Sequence, residues 1–283
     1  MVDLHIRDET SPLTDLCVCR GTAIPDFADF DGYRDAPDES ARFPPKRWDR
    51  DRFLAQQEQL YEVFDRHGVR LHFVDHDDDL VWQAYTRDTG FVVGDRLFYA
   101  PERGLPERHG EIDVVMGSIP GLDGRTVELE RGRIEGGDVM PDDDLVFVGL
   151  GTRTDRAAAE ELAEHVDAEV VTLDLRSAVM HLDTRMTVLP GRRALIHPPA
   201  FRTDDLALLR RRFTFVEVDA DEAAGLGTNG FVIDPETILV HTGHERIARA
   251  IEAEGLRVER VDYADPIALL GSFRCTTMPL ARR

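Results

Sequence analysis

The sequence predicts an α/β fold in which five similar units of about 45 residues close into a ring. Three observations predict it: a repeated hairpin pattern, helical patterns between the hairpins, and a regular spacing of the polar residue that opens each hairpin. The chain has 283 residues and 42% hydrophobic content, which is enough to bury a substantial core. We therefore expect one domain over residues 1–283.

The hairpin pattern occurs four times and starts a fifth time near the end of the sequence. Each occurrence has a short apolar run, a turn and a second apolar run, which is typical of a β-hairpin. The four stretches are TRDTGFVVGDRLFYA, GGDVMPDDDLVFVGL, HLDTRMTVLPGRRALIHP and GTNGFVIDPETILVHT, and the partial fifth is FRCTTMPLARR. Their turns contain Gly, Pro and Asp, which tight turns favour.

Helical patterns, each followed by a further strand pattern, lie between the hairpins. Apolar residues three or four positions apart predict helices over 51–68, 155–166, 204–213 and 244–255. The strands that follow them are predicted over 70–75, 169–175, 213–219 and 257–263. The unit is therefore strand, strand, helix, strand. An open array would need polar capping units, whereas a first strand at residues 16–21 can pair with the partial fifth hairpin and close the ring.

One polar residue at each hairpin start marks the repeat. These residues are Asp88, Asp138, Asp183, Asn229 and Cys275, at separations of 50, 45, 46 and 46. Equivalent strand starts in a ring point toward its axis, so we expect the five side chains, together with Glu135 and His181, to converge on one pocket. Carboxylates around a thiol raise its pKa and suit a cationic substrate. A planar guanidinium is the cation that matches carboxylates two N–H groups at a time.

The composition limits the partners and the location that we expect. The net charge of −21 arises from 55 acidic and 34 basic residues, with Lys46 as the only lysine. Such a field repels nucleic acid and anionic membranes, so we expect neither as a partner. The acid-rich, lysine-poor chain resembles halophilic proteins, and without an apolar 18-residue run or a signal-peptide pattern we expect a cytoplasmic location. Self-association into a homo-oligomer is left open.

Two further cysteines and one variable segment have simpler interpretations. Cys17 and Cys19 alternate in a strand-like run, and no Cys or His cluster completes a metal site with them, so we expect buried core thiols. The segment from Asp26 to Asp49 is rich in Pro, Gly and Asp with aromatic residues, and we expect it to cover the pocket.

Four motifs carry a resemblance to a known superfamily. YTRDTG, EGGD, HLDT and SFRC occur here in the order found in the guanidino-group-modifying enzymes, and the resemblance covers residues 85–283. That superfamily contains arginine deiminase, dimethylarginine dimethylaminohydrolase and the amidinotransferases. The resemblance implies a five-bladed α/β propeller, or pentein, of ββαβ units with pseudo-five-fold symmetry. It also implies a small-molecule guanidino substrate and catalysis without a metal or other cofactor.

The resemblance also implies roles for individual residues. Cys275 attacks the guanidinium carbon and forms a covalent thiouronium intermediate. His181 protonates the leaving amine and then activates water, while Glu135 holds the guanidinium and orients the imidazole. Asp88 and Asp183 bind the remaining guanidino nitrogens.

Four polar residues receive secondary roles. Arg153 in GTRTDR, and with less support Arg108 in LPERHGE, are candidates for binding a substrate carboxylate. Asn229 is expected to shape the loop that lines the pocket. Asp138 in GGD is interpreted as tying down its own glycine turn.

Asp183 favours one activity over the alternatives. Dimethylarginine hydrolases commonly carry HLK where this chain has HLD, and two carboxylates around a guanidinium leave no room for N-methyl groups. We therefore expect hydrolysis of arginine or a close relative at a C–N bond, giving ammonia and a ureido product such as citrulline. Dimethylarginine hydrolysis, arginine dihydrolysis and amidino transfer remain alternatives, since this compact chain has the length of the dimethylarginine hydrolases. A non-catalytic ribosome anti-association factor shares the fold but gives no reason for a thiol and imidazole.

Overall fold

Five three-stranded sheets with one shared connectivity form the framework of the protein. The computed structural model describes residues 2–29, 46–101, 108–122, 124–176 and 179–283. Each sheet contains an antiparallel pair of strands and a third strand parallel to the middle one. In four sheets the antiparallel pair is a hairpin, and in the fifth it joins the first and last strands. The predicted α/β propeller of ββαβ units is confirmed.

The strands are short, which is usual for propeller blades. They are β1 (Leu13–Val18), β2 (Arg70–Phe73), β3 (Phe91–Val93), β4 (Arg96–Tyr99), β5 (Thr126–Glu128), β6 (Val139–Asp142), β7 (Leu145–Leu150), β8 (Glu169–Asp174), β9 (Met186–Leu189), β10 (Arg193–Ile196), β11 (Thr214–Glu217), β12 (Phe231–Asp234), β13 (Thr237–His241), β14 (Arg257–Val261) and β15 (Met278–Arg282). In strand order the sheets are β15-β1-β2, β3-β4-β5, β6-β7-β8, β9-β10-β11 and β12-β13-β14. Strands β6, β9 and β15 are buried at every position because both of their faces are covered, whereas the third strands, such as β2 and β11, are only partly buried.

A helix connects the second and third strands of each unit. These helices are α1 (Arg50–Arg66), α2 (Glu111–Ser118), α3 (Arg156–His165), α4 (Thr203–Arg212) and α6 (Glu245–Ala253), while the short helices α5 (Ala220–Ala224) and α7 (Ala264–Ala268) lie between units. The first follows an N-cap, since the Asp49 side chain accepts a hydrogen bond from the backbone N–H of Arg52 at 2.9 Å. The structure confirms the four predicted connecting helices and adds α2, α5, α7 and β5, which the sequence patterns did not reveal.

The ring closes through the first and last strands. Leu16 pairs with Pro279 and Cys17 with Met278 in the antiparallel β1–β15 ladder, and β2 lies parallel to β1 on the other side. All five residues of β15 are buried. The end of this sequence is therefore part of the core, and the predicted pairing of the first strand with the partial hairpin is confirmed.

Cys17 and Cys19 lie in the apolar interior between the β15-β1-β2 sheet and the β3-β4-β5 sheet. They are 0% and 1% exposed, and burial raises the pKa of Cys19 to about 12. Both are core thiols, as predicted.

Within the described ranges, no helix is long and apolar enough to cross a membrane.

The segment predicted to cover the pocket falls largely outside the structure. Residues 30–45 are not among the described residues, so the prediction concerning Asp26–Asp49 stays a prediction. At its two ends, Phe27 and Trp48 pack edge to face with ring centroids 4.9 Å apart. Trp48 belongs to the same apolar cluster as Cys275, so these ends lie beside the site described next.

Candidate active site

The candidate site lies where turns from successive sheets meet at the axis. Short 3₁₀ turns at Thr86–Asp88, Gly136–Asp138 and Leu182–Thr184 come directly before β3, β6 and β9. Cys275 lies in a similar turn before β15, where the N–H of Thr276 donates to the Ser272 carbonyl at 3.1 Å. The polar residues thus lie at or just before the strand starts. Of the seven side chains predicted to converge, Asp88, His181 and Cys275 line one pocket, and the other four are not part of its lining.

Two glycines allow these turns to approach one another. A Cβ atom on Gly136 would overlap the carbonyl oxygen of Arg87, and one on Gly137 would lie 2.8 Å from the His181 ring. The GG pair of EGGD therefore has a steric cause, since the turn that carries Arg87 contacts Gly136 and the histidine of HLDT contacts Gly137.

His181 lies between two carboxylates. Its Nε2 is 2.8 Å from Glu135 Oε2, and its Nδ1 is 3.6 Å from Asp88 Oδ1. Burial lowers the pKa of His181, but the negative charges of Asp88 and Asp138 and the hydrogen bond to Glu135 raise it to about 10. The ring is therefore an imidazolium at neutral pH and is ready to donate a proton.

Glu135 is the anionic partner of that imidazolium. It is 0% exposed. Burial raises its pKa, but the hydrogen bond from His181 and the charge of Arg153 outweigh that effect and hold the pKa well below the ordinary range. Glu135 and His181 thus form a buried ion pair whose geometry fixes the imidazole ring.

Cys275 is held as a thiol in the ligand-free site. Burial, followed by the negative charges of Asp183 and Asp88, raises its pKa well above the usual value. Its Sγ donates to Asn229 Oδ1 at 3.6 Å. A cation bound beside these carboxylates would offset their charge and favour the thiolate.

Asp183 is the least satisfied polar group of the site. It is 1% exposed, and neither of its carboxylate oxygens has a hydrogen-bond partner among the described residues. Arg274 Nε is 3.6 Å from Oδ2, an ion-pair distance beyond ordinary hydrogen-bond length. Buried carboxylates are normally hydrogen-bonded, so the geometry suits a ligand that brings two N–H donors.

The two candidate arginines pair with the site's carboxylates. Arg108 Nη1 donates to Asp88 Oδ2 at 2.6 Å, and its Nη2 donates to Glu111 Oε2 at 2.8 Å. Arg153 Nη1 is 3.5 Å from Glu135 Oε2. In this conformation Arg108 orients Asp88, so its predicted contact with a substrate carboxylate requires the guanidinium to turn. Sequence reasoning missed Glu111, although its place three residues after Arg108 at a helix start is a local signal for such a pair.

Asn229 and Asp138 position the turns. Asn229 Nδ2 donates to the Asp183 carbonyl at 2.9 Å, and its Oδ1 accepts from the backbone N–H of Arg274 at 3.0 Å, so it shapes the loop as expected. Asp138 accepts from the N–H of Leu182 at 2.9 Å and from Thr154 Oγ1 at 2.7 Å. The expectation that Asp138 ties down its own glycine turn is wrong: its carboxylate reaches across to the neighbouring turn that carries His181.

The side chains enclose a narrow slot of about 40 Å³. Its polar walls are Asp88, Arg108, Arg153, His181 and Cys275, and its other walls are Trp82, Tyr85, Met180, Leu269 and Leu270. Pockets that hold a whole small molecule are usually about 300 Å³ or larger. Binding of a complete amino acid therefore requires some of these side chains to move. Apart from Tyr85 of YTRDTG, the apolar wall lies outside the four motifs, which is why sequence reasoning missed it.

Asp88, Glu135 and His181 form the one group in the described part of the chain with metal-ligand spacing, their donor atoms lying within 4.8 Å of one another. The group does not fit a divalent cation well. Arg108 and Arg153 already neutralise the two carboxylates, and a protonated imidazole cannot act as a ligand. These residues suit proton transfer better than metal binding.

The ring of five sheets, with a thiol, an imidazole and carboxylates at its axis, defines an α/β propeller of the pentein class. Within that class, the chain belongs to the superfamily of guanidino-group-modifying enzymes that includes arginine deiminase, dimethylarginine dimethylaminohydrolase and the amidinotransferases. The arginine deiminase family profile matches residues 78–211. An uncharacterized protein of Bacillus subtilis, YkgA, is 33% identical over 228 residues, which cover 80% of this chain and 79% of that protein. The N(G),N(G)-dimethylarginine dimethylaminohydrolase of Mycobacterium tuberculosis is 28% identical over 228 residues, covering 80% and 75% of the two chains.

Solved structures confirm the fold. The N-terminal domain of ArgZ, an arginine dihydrolase from cyanobacteria, matches with a TM-score of 0.79 at 17% identity, covering 95% of this chain and 98% of that one. AgrE, in its complex with ornithine and NAD+, matches with a TM-score of 0.82 at 20% identity and covers 96% of this chain. The matched region is 40% of the AgrE chain. At such identities the likeness concerns the fold alone.

Proposed function

We propose that this protein is a cysteine-dependent hydrolase that acts on the guanidino group of arginine or a close relative and releases ammonia and a ureido product such as citrulline. One observation carries the proposal: the buried Asp183 carboxylate has two oxygens without hydrogen-bond partners among the described residues, and it lies near enough to a thiol and an imidazolium for their charges to interact. A guanidinium offers two parallel N–H groups and one positive charge, which satisfy both needs of that carboxylate.

The charges of the site support an order of events. A bound guanidinium offsets Asp183 and Asp88, so the Cys275 thiol releases its proton to solvent and its sulfur attacks the guanidinium carbon. When the tetrahedral adduct collapses, one C–N bond breaks and the imidazolium of His181 gives its proton to the departing ammonia. The neutral imidazole then takes a proton from water, and the resulting hydroxide attacks the thiouronium carbon. The C–S bond breaks as the ureido C=O forms, and the remaining hydroxyl proton returns to the Cys275 sulfur.

The surroundings of Asp183 favour an unsubstituted guanidine. Methyl groups on the nitrogens that face it would remove N–H donors and place apolar groups against a buried carboxylate. The apolar wall of Trp82, Leu269 and Leu270 suits the aliphatic stem of arginine, and Arg153, which lines the same slot, carries the positive charge that a substrate carboxylate needs.

A second candidate is the hydrolysis of methylated arginine. It is supported by the likeness to the M. tuberculosis dimethylarginine hydrolase over 80% of this chain. The two activities differ in their products, because dimethylarginine hydrolysis releases dimethylamine in place of ammonia.

Product analysis tests the proposal directly. Purified protein would be incubated with arginine, agmatine and N-methylated arginines at low and high salt, and ureido product, ammonia, methylamines and ornithine would be measured. We expect equal amounts of ammonia and citrulline from arginine. Dimethylamine would establish the second candidate, and ornithine with further ammonia would indicate a dihydrolase. Absence of turnover on every guanidine would overturn the proposal.

A further inference from the structure

A second cluster of buried charges lies below the candidate site, farther along the strands that begin there. It consists of Glu9, Arg87, Arg274 and Arg282, each no more than 4% exposed. The proposed reaction uses none of these groups as a reactant. Buried charges are normally paired with opposite charges, so the partners of each guanidinium show whether the cluster is balanced.

Arg274 lies within ion-pair distance of both nearby carboxylates, those of Glu9 and Asp183. Its Nη1 donates to Glu9 Oε2 at 2.8 Å, and its Nε lies 3.6 Å from Asp183 Oδ2. Neither carboxylate is within salt-bridge distance of another arginine of this cluster.

Among the described residues, the side chains of Arg87 and Arg282 hydrogen-bond only to neutral carbonyl groups. Arg87 Nε donates to the Arg274 carbonyl at 3.3 Å, and the Nη atoms of Arg282 donate to the Ser11 and Val232 carbonyls at 2.8 and 2.7 Å. Each has one buried nitrogen without a hydrogen-bond partner in the described chain, Nη2 of Arg87 and Nε of Arg282. The two guanidinium charges are therefore not matched by a carboxylate of their own.

Both arginines line one small cavity. It has a volume of about 10 Å³, which is room for roughly one water-sized species. Glu9 forms part of its wall, and most of the rest is apolar, including Phe91, Val139 and Met278. A neutral water could bond to the two nitrogens but would leave the positive charges unbalanced.

We infer that this cavity binds one small monovalent anion, of the size and charge of a halide, between Arg87 and Arg282. The volume excludes polyatomic anions such as sulfate or gluconate. Burial, together with repulsion from Arg274, lowers the pKa of Arg87, and the same two effects lower that of Arg282 to about 10 despite the attraction of Glu9. An anion would relieve this repulsion.

The position of the cavity predicts an effect on stability. Arg282 comes from β15 and bonds to a carbonyl of β12, while the backbone N–H of Arg87 donates to the Cys275 carbonyl at 3.2 Å. An anion between the two guanidinium groups would link the turn before β3 to β15. Through the bond of Arg282 to β12, it would also connect the sheet that contains β12. The inference does not depend on the proposed reaction, since no group of the cavity takes part in it.

Thermal unfolding tests the inference in sodium chloride, sodium bromide and sodium gluconate at equal sodium concentrations. We expect Tm to rise further in the two halides, and the difference from gluconate to saturate with concentration. Arg282→Gln should lose that difference, whereas the matched variant of the exposed neighbour, Arg283→Gln, should keep it. An equal Tm in all three salts, or a halide difference retained in Arg282→Gln, would overturn the inference.

Crystals grown in bromide give a readout that does not depend on the variants folding. An anomalous peak in the cavity between Arg87 and Arg282 is the expected result. Density there without anomalous signal, as from water, would refute anion binding even if halides stabilise the protein by other means.

Discussion

Replacing Asp183 with asparagine removes the negative charge on which the proposed substrate contact depends, while keeping the size of the side chain. A hydrogen bond to a charged group contributes about 1.5–3 kcal/mol, and the amide keeps only one of the two acceptor oxygens. A loss of about 3 kcal/mol in transition-state binding corresponds to a fall of roughly 100-fold in kcat/KM. We expect a fall of that size for arginine.

The same substitution should not destabilise the ligand-free protein. Neither oxygen of Asp183 has a hydrogen-bond partner among the described residues, and an unsatisfied buried polar group costs roughly 1–3 kcal/mol. The neutral amide relieves part of that cost, and Arg274 keeps Glu9 as its partner. We therefore expect Tm to stay equal or to rise, and the pKa of Cys275 to fall, since Asp183 contributes to raising it.

Three measurements check Asp183→Asn: steady-state citrulline formation, thermal unfolding, and the pH dependence of iodoacetamide labelling at Cys275. Asp15→Asn serves as the control, because Asp15 is also a buried acid but lies in the β15-β1-β2 sheet. Its Oδ1 pairs there with Nε2 of His72 at 2.8 Å. A variant at Asp183 with nearly unchanged kcat/KM and a lowered Tm would show that this carboxylate is structural.

Three further predictions concern the thiol and the imidazole. Cys275→Ser should abolish citrulline formation, whereas Cys19→Ser should retain it; turnover by the first variant would exclude the covalent route. In native protein, iodoacetamide should modify Cys275 before Cys17 and Cys19, and arginine should change its rate; peptide mapping that finds equal rates would contradict the assignment. The pKa of His181 is raised to about 10, so its contribution to stability is full below its unfolded value near 6.5 and is lost as pH rises toward 10. Tm should fall over that range more steeply in wild type than in His181→Gln, and kcat should fall above about pH 10; identical slopes in the two proteins would refute the buried ion pair.

The repeat explains why much of the fold was predictable. Asp88, Asp183 and Cys275 occupy equivalent places in units whose strands and helices keep their own hydrophobic periods, so position along the sequence reports position around the axis. The helix α2 was missed because it is short and contains two adjacent valines and Gly117, which have low helix propensity. The strand that follows this helix, β5, has only three residues, which are too few to show an alternation of apolar and polar side chains.

Contacts between blades were not predictable in the same way. Asp138 bonds to a turn 44 residues away, and Arg274 to Glu9 across 265 residues, and nothing local in the sequence specifies such pairs. Arg108 was expected to face a substrate carboxylate, yet in this conformation its donors are directed at Asp88 and Glu111. Which carboxylate an arginine pairs with depends on distances between side chains, and these distances are set by the packing of the folded ring.

The pairing of β1 with β15 gives the protein a particular order of assembly. Four sheets are built from residues close in sequence, but this ladder joins residues such as Leu16 and Pro279, more than 260 positions apart. Closing so long a loop costs conformational entropy and slows folding. Because Cys275 lies just before β15, its thiol reaches the site only when β15 pairs with β1 and the ring closes. We expect citrulline formation to lag behind secondary structure during refolding, which activity sampling beside stopped-flow circular dichroism would show; simultaneous recovery would contradict this order.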